Sequence, residues 1–118
     1  MSNLKIEWVN KSQKRCLKFT FNEKLTVEDA TSIIEKWQNH FKEFPKEKII
    51  IIWDCIKMTG YDSSARTKWQ SALKEMKEQI DSIWLITNSS LIKMGASFIS
   101  VFASYPINVV NSENEIKI

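Results

Sequence analysis

Two glycines, two prolines, two cysteines and one histidine are spread over 118 residues, and each shortage removes a class of proteins. So few Gly and Pro disfavour an all-β sandwich built on many tight turns, and favour long helices between short strands. They also leave no glycine-rich loop to cradle a phosphate: P-loop, Rossmann and G-x-S-x-G patterns are absent. Cys16 and Cys55 lie far apart without C-x-x-C spacing and His40 stands alone, so neither a metal site nor any other cofactor is expected. No run reaches the roughly 18 apolar residues of a membrane span, and Met1-Ser2-Asn3 leads straight into a strand-like pattern with no apolar signal segment. A cytoplasmic protein with reduced thiols is expected.

Charge of one sign is also scarce. Seventeen Lys and Arg are mixed with fourteen Asp and Glu, for a net +3, and no basic stripe forms, so no nucleic-acid partner is expected. The five tryptophans, Trp8, Trp37, Trp53, Trp69 and Trp84, each fall within an apolar pattern and read as packing residues, with Trp37, Trp53, Trp69 and Trp84 mostly buried. What remains is 43% hydrophobic and 26% charged, the usage of an ordinary globular chain, and 118 residues suffice for one core.

Leu4, Ile6 and Trp8 alternate with polar residues, as do Leu17, Phe19 and Phe21, predicting a hairpin whose turn lies within Asn10 to Arg15. From Thr26 the period changes: Ala30, Ile33, Ile34, Trp37 and Phe41 follow helical spacing behind a Thr26–Asp29 capping box, and the helix ends before Pro45. Lys48 to Trp53 is too apolar for a half-exposed strand and predicts a central one with parallel neighbours. A second helix is expected over Ser63 to Gln79 and a strand over Ser82 to Thr87. A third helix, capped by Asn88 or Ser89, turns Leu91, Ile92, Met94, Phe98, Ile99 and Phe102 to its apolar side. Pro106 closes it before a last strand, Ile107 to Asn111, and Ser112 to Ile118 form a weakly determined tail. Gly60 suits a tight turn, and Gly95 close packing of the third helix. The expectation is one α/β domain over 1–118, a mixed sheet with helices packed against it in the order β-β-α-β-α-β-α-β.

The chemistry-bearing residues gather around the central strand. Asp54 ends its apolar run, the loop Cys55 to Gly60 follows, and Tyr61-Asp62-Ser63-Ser64 opens the second helix, near the edge where open α/β sheets place working groups. Asp54 also suits a turn, and Asp62, Ser63 and Ser64 suit helix caps. Nucleophilic catalysis by Ser63 or Ser64 needs a base, and His40, at the end of the first helix, brings no orienting acid or oxyanion motif with it. No enzymatic activity is expected. A phosphate on a helix N-terminus, by contrast, meets free N–H donors and the positive end of the dipole.

The run Ile49 to Trp53, Asp54, the loop to Gly60, and Tyr61-Asp62-Ser63-Ser64 resembles the STAS domain of bacterial anti-sigma-factor antagonists, and the order of elements agrees over nearly the whole chain. In that family a hydrophobic strand ends in Asp, and an Asp-Ser-Ser-Gly motif at the same spacing begins the next helix. Its second Ser is phosphorylated by a partner kinase, and Ser64 holds the matching position. The chain departs from the pattern with Ala65 in place of Gly, with Arg66 and Lys68 where apolar residues are usual, and with a third helix richer in large apolar groups, as in a divergent stand-alone branch. The resemblance implies a non-enzymatic regulatory module with Ser64, or Ser63, as phosphoacceptor. It implies a partner-binding edge of Asp54, Thr59, Tyr61, Asp62, Ser63, Ser64 and Arg66, and a kinase-type anti-sigma factor or a second copy as protein partner. The alternative is a carrier or sensor of a small lipid-like molecule, with Met94, Phe98, Ile99 and Phe102 as the apolar ligand or dimer face.

Overall fold

The computed structural model describes residues 4–118; the expectation for Met1-Ser2-Asn3 lies outside them. The chain runs β1 (Lys5–Lys11), β2 (Lys14–Leu25), α1 (Val27–Glu43), β3 (Ile49–Tyr61), α2 (Ser63–Met76), β4 (Ile80–Ile86), α3 (Ser90–Ala103) and β5 (Asn108–Val110), with 3-10 turns at Lys77–Gln79 and Glu113–Glu115. This is the predicted order. The hairpin turn is Ser12-Gln13, both with positive φ (51° and 65°), which lets the turn follow the right-handed twist of its strands. Helix α1 is capped as expected by Thr26, whose hydroxyl accepts the Asp29 N–H at 3.1 Å, and α3 by Ser89, which accepts the Ile92 N–H at 3.3 Å.

The strands lie in sequence order in one five-stranded sheet, β1 antiparallel to β2 and the other pairs parallel. Each crossover moves one strand in the same direction, and right-handed crossovers then put every helix on the same face. One core accordingly joins Leu17, Phe19, Ile51, Trp53, Ile83 and Leu85 to the buried sides of α1, α2 and α3. Trp37, Trp53, Trp69 and Phe19 form its centre, their ring centroids 5.4 to 6.3 Å apart and mostly edge to face. Trp84 is the least covered of the four tryptophans expected to be mostly buried. It is half-buried because it points to the other face of the sheet, where no helix packs.

On that face Cys16, Ile50, Ile52 and Ile86 are buried beneath Val9, Trp84, Val110, Ile116 and Ile118. The tail thus has a place: its isoleucines lie on the sheet, and Glu113 bonds Lys11 (2.7 Å) and Lys18 (2.9 Å) from the strands below. Strand β3 has the predicted parallel neighbours, and Ile49 to Trp53 are buried on both faces.

Several boundaries are corrected. The strand does not end at Asp54, and Cys55 to Gly60 is not a loop: β3 continues to Tyr61, paired with β2 from Asn22↔Lys57 to Leu25↔Tyr61, with one register shift before this stretch and one within it. Pairing with β4 does stop at Asp54↔Ile86, so the second half of β3 is a two-stranded arm whose polar exposed side mimics a loop in sequence. Gly60 therefore lies in a strand, at a negative φ, and makes no turn. Helix α2 gives way to a 3-10 turn at Lys77, β4 begins at Ile80, and β5 is only three residues long.

Candidate functional site: the start of helix α2

The arm of β2 and β3 delivers the chain to α2. The Asp62 N–H donates to the Leu25 carbonyl at 3.0 Å, closing the arm, and the next residue begins the helix. Ser63 and Ser64 occupy its first turn with both side chains exposed, whereas Ala65 is fully buried against the core. Asp62 is the N-cap by position, but its carboxylate makes no cap bond. It pairs instead with Lys24 across the arm at 2.9 Å. The hydrogen bond from Lys24 holds the Asp62 carboxyl below its ordinary range. With no acidic residue in the first turn of α2, its orphan N–H groups and dipole are left to act on whatever anion approaches.

Other members of the sequence-derived edge take different places. Thr59 is exposed on the arm. Tyr61 turns inward onto α3, where a Cβ on Gly95 would meet its hydroxyl at 2.8 Å, so Gly95 serves close packing as expected. The Arg66 guanidinium lies over the Phe98 ring, 4.9 Å from its centroid. Asp54 is on the helix-free face: it accepts the Ile56 N–H at 3.2 Å, a turn-like bond made within a strand, and sits 3.9 Å from Lys18. Ser63, Ser64, Asp62, Tyr61 and Arg66 therefore form one neighbourhood, and Asp54 belongs to the polar cluster of Lys18 and Glu113.

His40 stands near the far end of α1, its ring packed on Trp8 (5.5 Å between centroids) and its Nδ1 2.7 Å from the Lys36 carbonyl oxygen. The N-terminus of α1 adjoins the start of α2 through Leu25 and Asp62. Thirteen residues of helical rise separate Val27 from His40, roughly 20 Å at 1.5 Å each. Ser64 and His40 are not a nucleophile–base pair. Among the described residues no group of three or more His, Cys, Asp or Glu converges as metal ligands do, and no helix is long and apolar enough to cross a membrane. Cys55 is buried beside Asp54, and desolvation pushes its thiol far above the ordinary range, so it carries no nucleophile at neutral pH.

Beneath Tyr61 and Arg66 lies an apolar cavity of about 50 Å³, lined by Phe21, Trp53, Met58, Leu85 and Ile99 among others. Sites for drug-sized ligands usually occupy roughly 300 to 1,000 Å³. Of the apolar side predicted on α3, Ile92 and Ile99 border this cavity, and Leu91, Met94, Phe98 and Phe102 are exposed outside it. Sequence reading missed Lys24, which neutralises Asp62, and Lys18 and Glu113, which surround Asp54. Lys18 and Lys24 lie on β2 and are identified by the β2–β3 register, whereas Glu113 lies on the tail and is identified by its ion pairs with Lys11 and Lys18.

No protein-family model matches the chain, and neither does any curated protein. Two solved structures are similar over nearly its full length. One is an uncharacterized protein of the DUF3478 family with a SpoIIAA-like fold from Shewanella loihica PV-4, with TM-score 0.79 and 13% identity, covering 98% of this chain and 91% of that one. The other is the anti-sigma factor antagonist SpoIIAA in its unphosphorylated form, with TM-score 0.67 and 12% identity, covering 94% of this chain and 92% of that one. A sequential mixed sheet, a helical layer on one face and these two likenesses make the fold of this chain SpoIIAA-like, the STAS-like architecture that its Asp-Ser-Ser segment resembles.

Proposed function

We propose that this chain is a STAS-type regulatory module without enzymatic activity, which binds a protein partner at the start of α2 and is switched by phosphate on Ser64. The observation that carries the reading is an exposed Ser64 hydroxyl on the first turn of α2, in a fold shared with an anti-sigma factor antagonist. Physical chemistry favours a phosphate there. The helix N-terminus is positive, Arg66 and Lys68 follow within one turn, and the nearest carboxylate, Asp62, is paired with Lys24. Ala65, in place of the family's Gly, turns into the core and leaves the serine surface open. The lipid-carrier reading draws less support, since the cavity beneath Tyr61 measures about 50 Å³, a small fraction of a lipid, and Met94, Phe98 and Phe102 line an open surface groove instead.

The test is recovery of the tagged chain from its native host, with the intact mass measured and the partner identified. Affinity and thermal unfolding are then compared for wild type, Ser64→Asp and the phosphorylated chain. Phosphorylation adds about −1.5 to −2 charges, so the fold should persist while partner affinity falls; Ser64→Asp, with one charge and fewer acceptor oxygens, should reproduce part of the loss. Equal affinity for all three removes Ser64 from the mechanism.

A further inference from the structure

Helix α3 divides its expected apolar side between the core and solvent. Its small residues Gly95, Ala96 and Ala103, with Ile92, face the core, whereas Leu91, Met94, Phe98, Val101 and Phe102 face solvent, Val101 at 81% exposure. Between α2 and α3 four of these side chains flank an open groove of about 560 Å³, with Gln70 of α2 in its lining. Gln70 is nine-tenths buried, and no hydrogen bond among the described residues occupies its amide. Its amide atoms are not among the buried side-chain atoms that lack a partner, so they meet solvent in the open groove, and an occupant that displaces that solvent has to replace its hydrogen bonds. The rim is cationic: Arg66 lies 4.9 Å from the Phe98 centroid and Lys74 5.4 Å from that of Phe102, and α3 contains no Asp or Glu.

These features discriminate among occupants. A second copy docked face to face would set this cationic rim against an α3 that has no Asp or Glu to pair with Arg66 and Lys74. Hydrocarbon covers the apolar strip and leaves the Gln70 amide unpaired. An amphipathic helix with carboxylates beside its apolar stripe satisfies the strip, the rim and, through one polar group, Gln70. We propose that the α2–α3 groove docks an acidic amphipathic helix of a protein partner, with Phe98, Val101 and Phe102 receiving the apolar stripe, Arg66 and Lys74 its carboxylates, and Gln70 a central polar group. This rests on the reading of the chain as a protein-binding module and adds a contact surface that adjoins the Ser64 neighbourhood through Arg66.

The probes are two labelled helical peptides with Leu at i, i+3, i+4 and i+7 and one central Asn, flanked by Glu in one and by Lys in the other. Fluorescence anisotropy should show the Glu peptide binding about tenfold tighter than the Lys peptide, with Lys74→Glu reversing the preference. Val101→Asp should weaken the Glu peptide about tenfold with unchanged thermal unfolding, since the side chain is exposed. Peptide binding is read on the unphosphorylated wild-type chain, and the Ser64 switch is read with the native partner, so failure of one is distinguishable from failure of the other. The proposal is overturned by no binding of the Glu peptide, or by equal affinity for both peptides. It is overturned equally by Val101-dependent self-association in sedimentation, or by Val101-dependent binding to phosphatidylglycerol vesicles, if either occurs without selective peptide binding.

Discussion

Gly95 shows how a single residue ties helix to strand. Any Cβ there would press on the Tyr61 ring, with atoms of the ring 2.8 to 2.9 Å away. Gly95→Ala sets two effects in opposition: a gain of up to about 1 kcal/mol in helix propensity and an overpacking cost of roughly 1 to 3 kcal/mol. Because ring carbons as well as the hydroxyl are in the way, the whole ring must move, and the net effect should be destabilising by about 1 kcal/mol in denaturant unfolding. In a Tyr61→Ser background the clash is gone and the same substitution should stabilise. Gly95 was legible from sequence as a packing glycine; its neighbour was not, because Tyr61 sits on a strand that sequence alone ends too early.

At the scale of elements, the tail is held to the sheet by few groups, and one carboxylate is prominent among them. Hydrogen bonds from Lys11 and Lys18 keep the Glu113 carboxyl below the ordinary value of 4.5. A carboxylate whose folded pKa is depressed adds stability above its unfolded value and loses it as pH falls through the folded one. Charged groups facing Glu113 are Lys11 and Lys18, with Asp54 and Glu7 acting on Lys18. The Ile116 and Ile118 methyl resonances should therefore move toward random-coil positions below about pH 4.5 in wild type. They should already be displaced at neutral pH in Glu113→Gln, with a loss of about 1 kcal/mol from partly exposed ion pairs. Cys16, fully buried under this cover, provides a second readout: its labelling by a thiol reagent should accelerate in Glu113→Gln, while that of Cys55, in the helix-side core, should not. Identical rates for wild type and variant would show that Glu113 does not hold the tail down.

The molecule as a whole has two apolar layers of unequal strength. Ile51 lies in the aromatic core under the helices and Ile52 in the thin layer under the tail, yet both are completely buried. Core truncations of this type cost roughly 2 to 5 kcal/mol, less where surroundings collapse into the gap. Ile51→Ala should fall near the top of that range, since β2, β4 and the helices cannot close in without moving the tryptophan cluster. Ile52→Ala should fall near the bottom, because the tail can settle. Equal losses in chemical denaturation would show the tail to be as rigid as a helix.

Local periodicity by itself determined which elements form, their order, and that Ile49 to Trp53 is central. Each amphipathic stripe must be buried, and a run apolar at both parities has to be buried on two faces. The same patterns placed Ser63 and Ser64 at a helix start, because caps are local chemistry. Tertiary structure decided what depends on a neighbour. The second half of β3 reads as a loop until β2 supplies its hydrogen bonds. Asp54 faces Lys18 and Glu113 because strand parity points it away from the helices. The large apolar side chains of α3 stay in solvent because its small ones make the closer approach to the core. Hydrophobicity along a chain records the cost of exposing a side chain, and only the arrangement of elements in space determines which ones are covered.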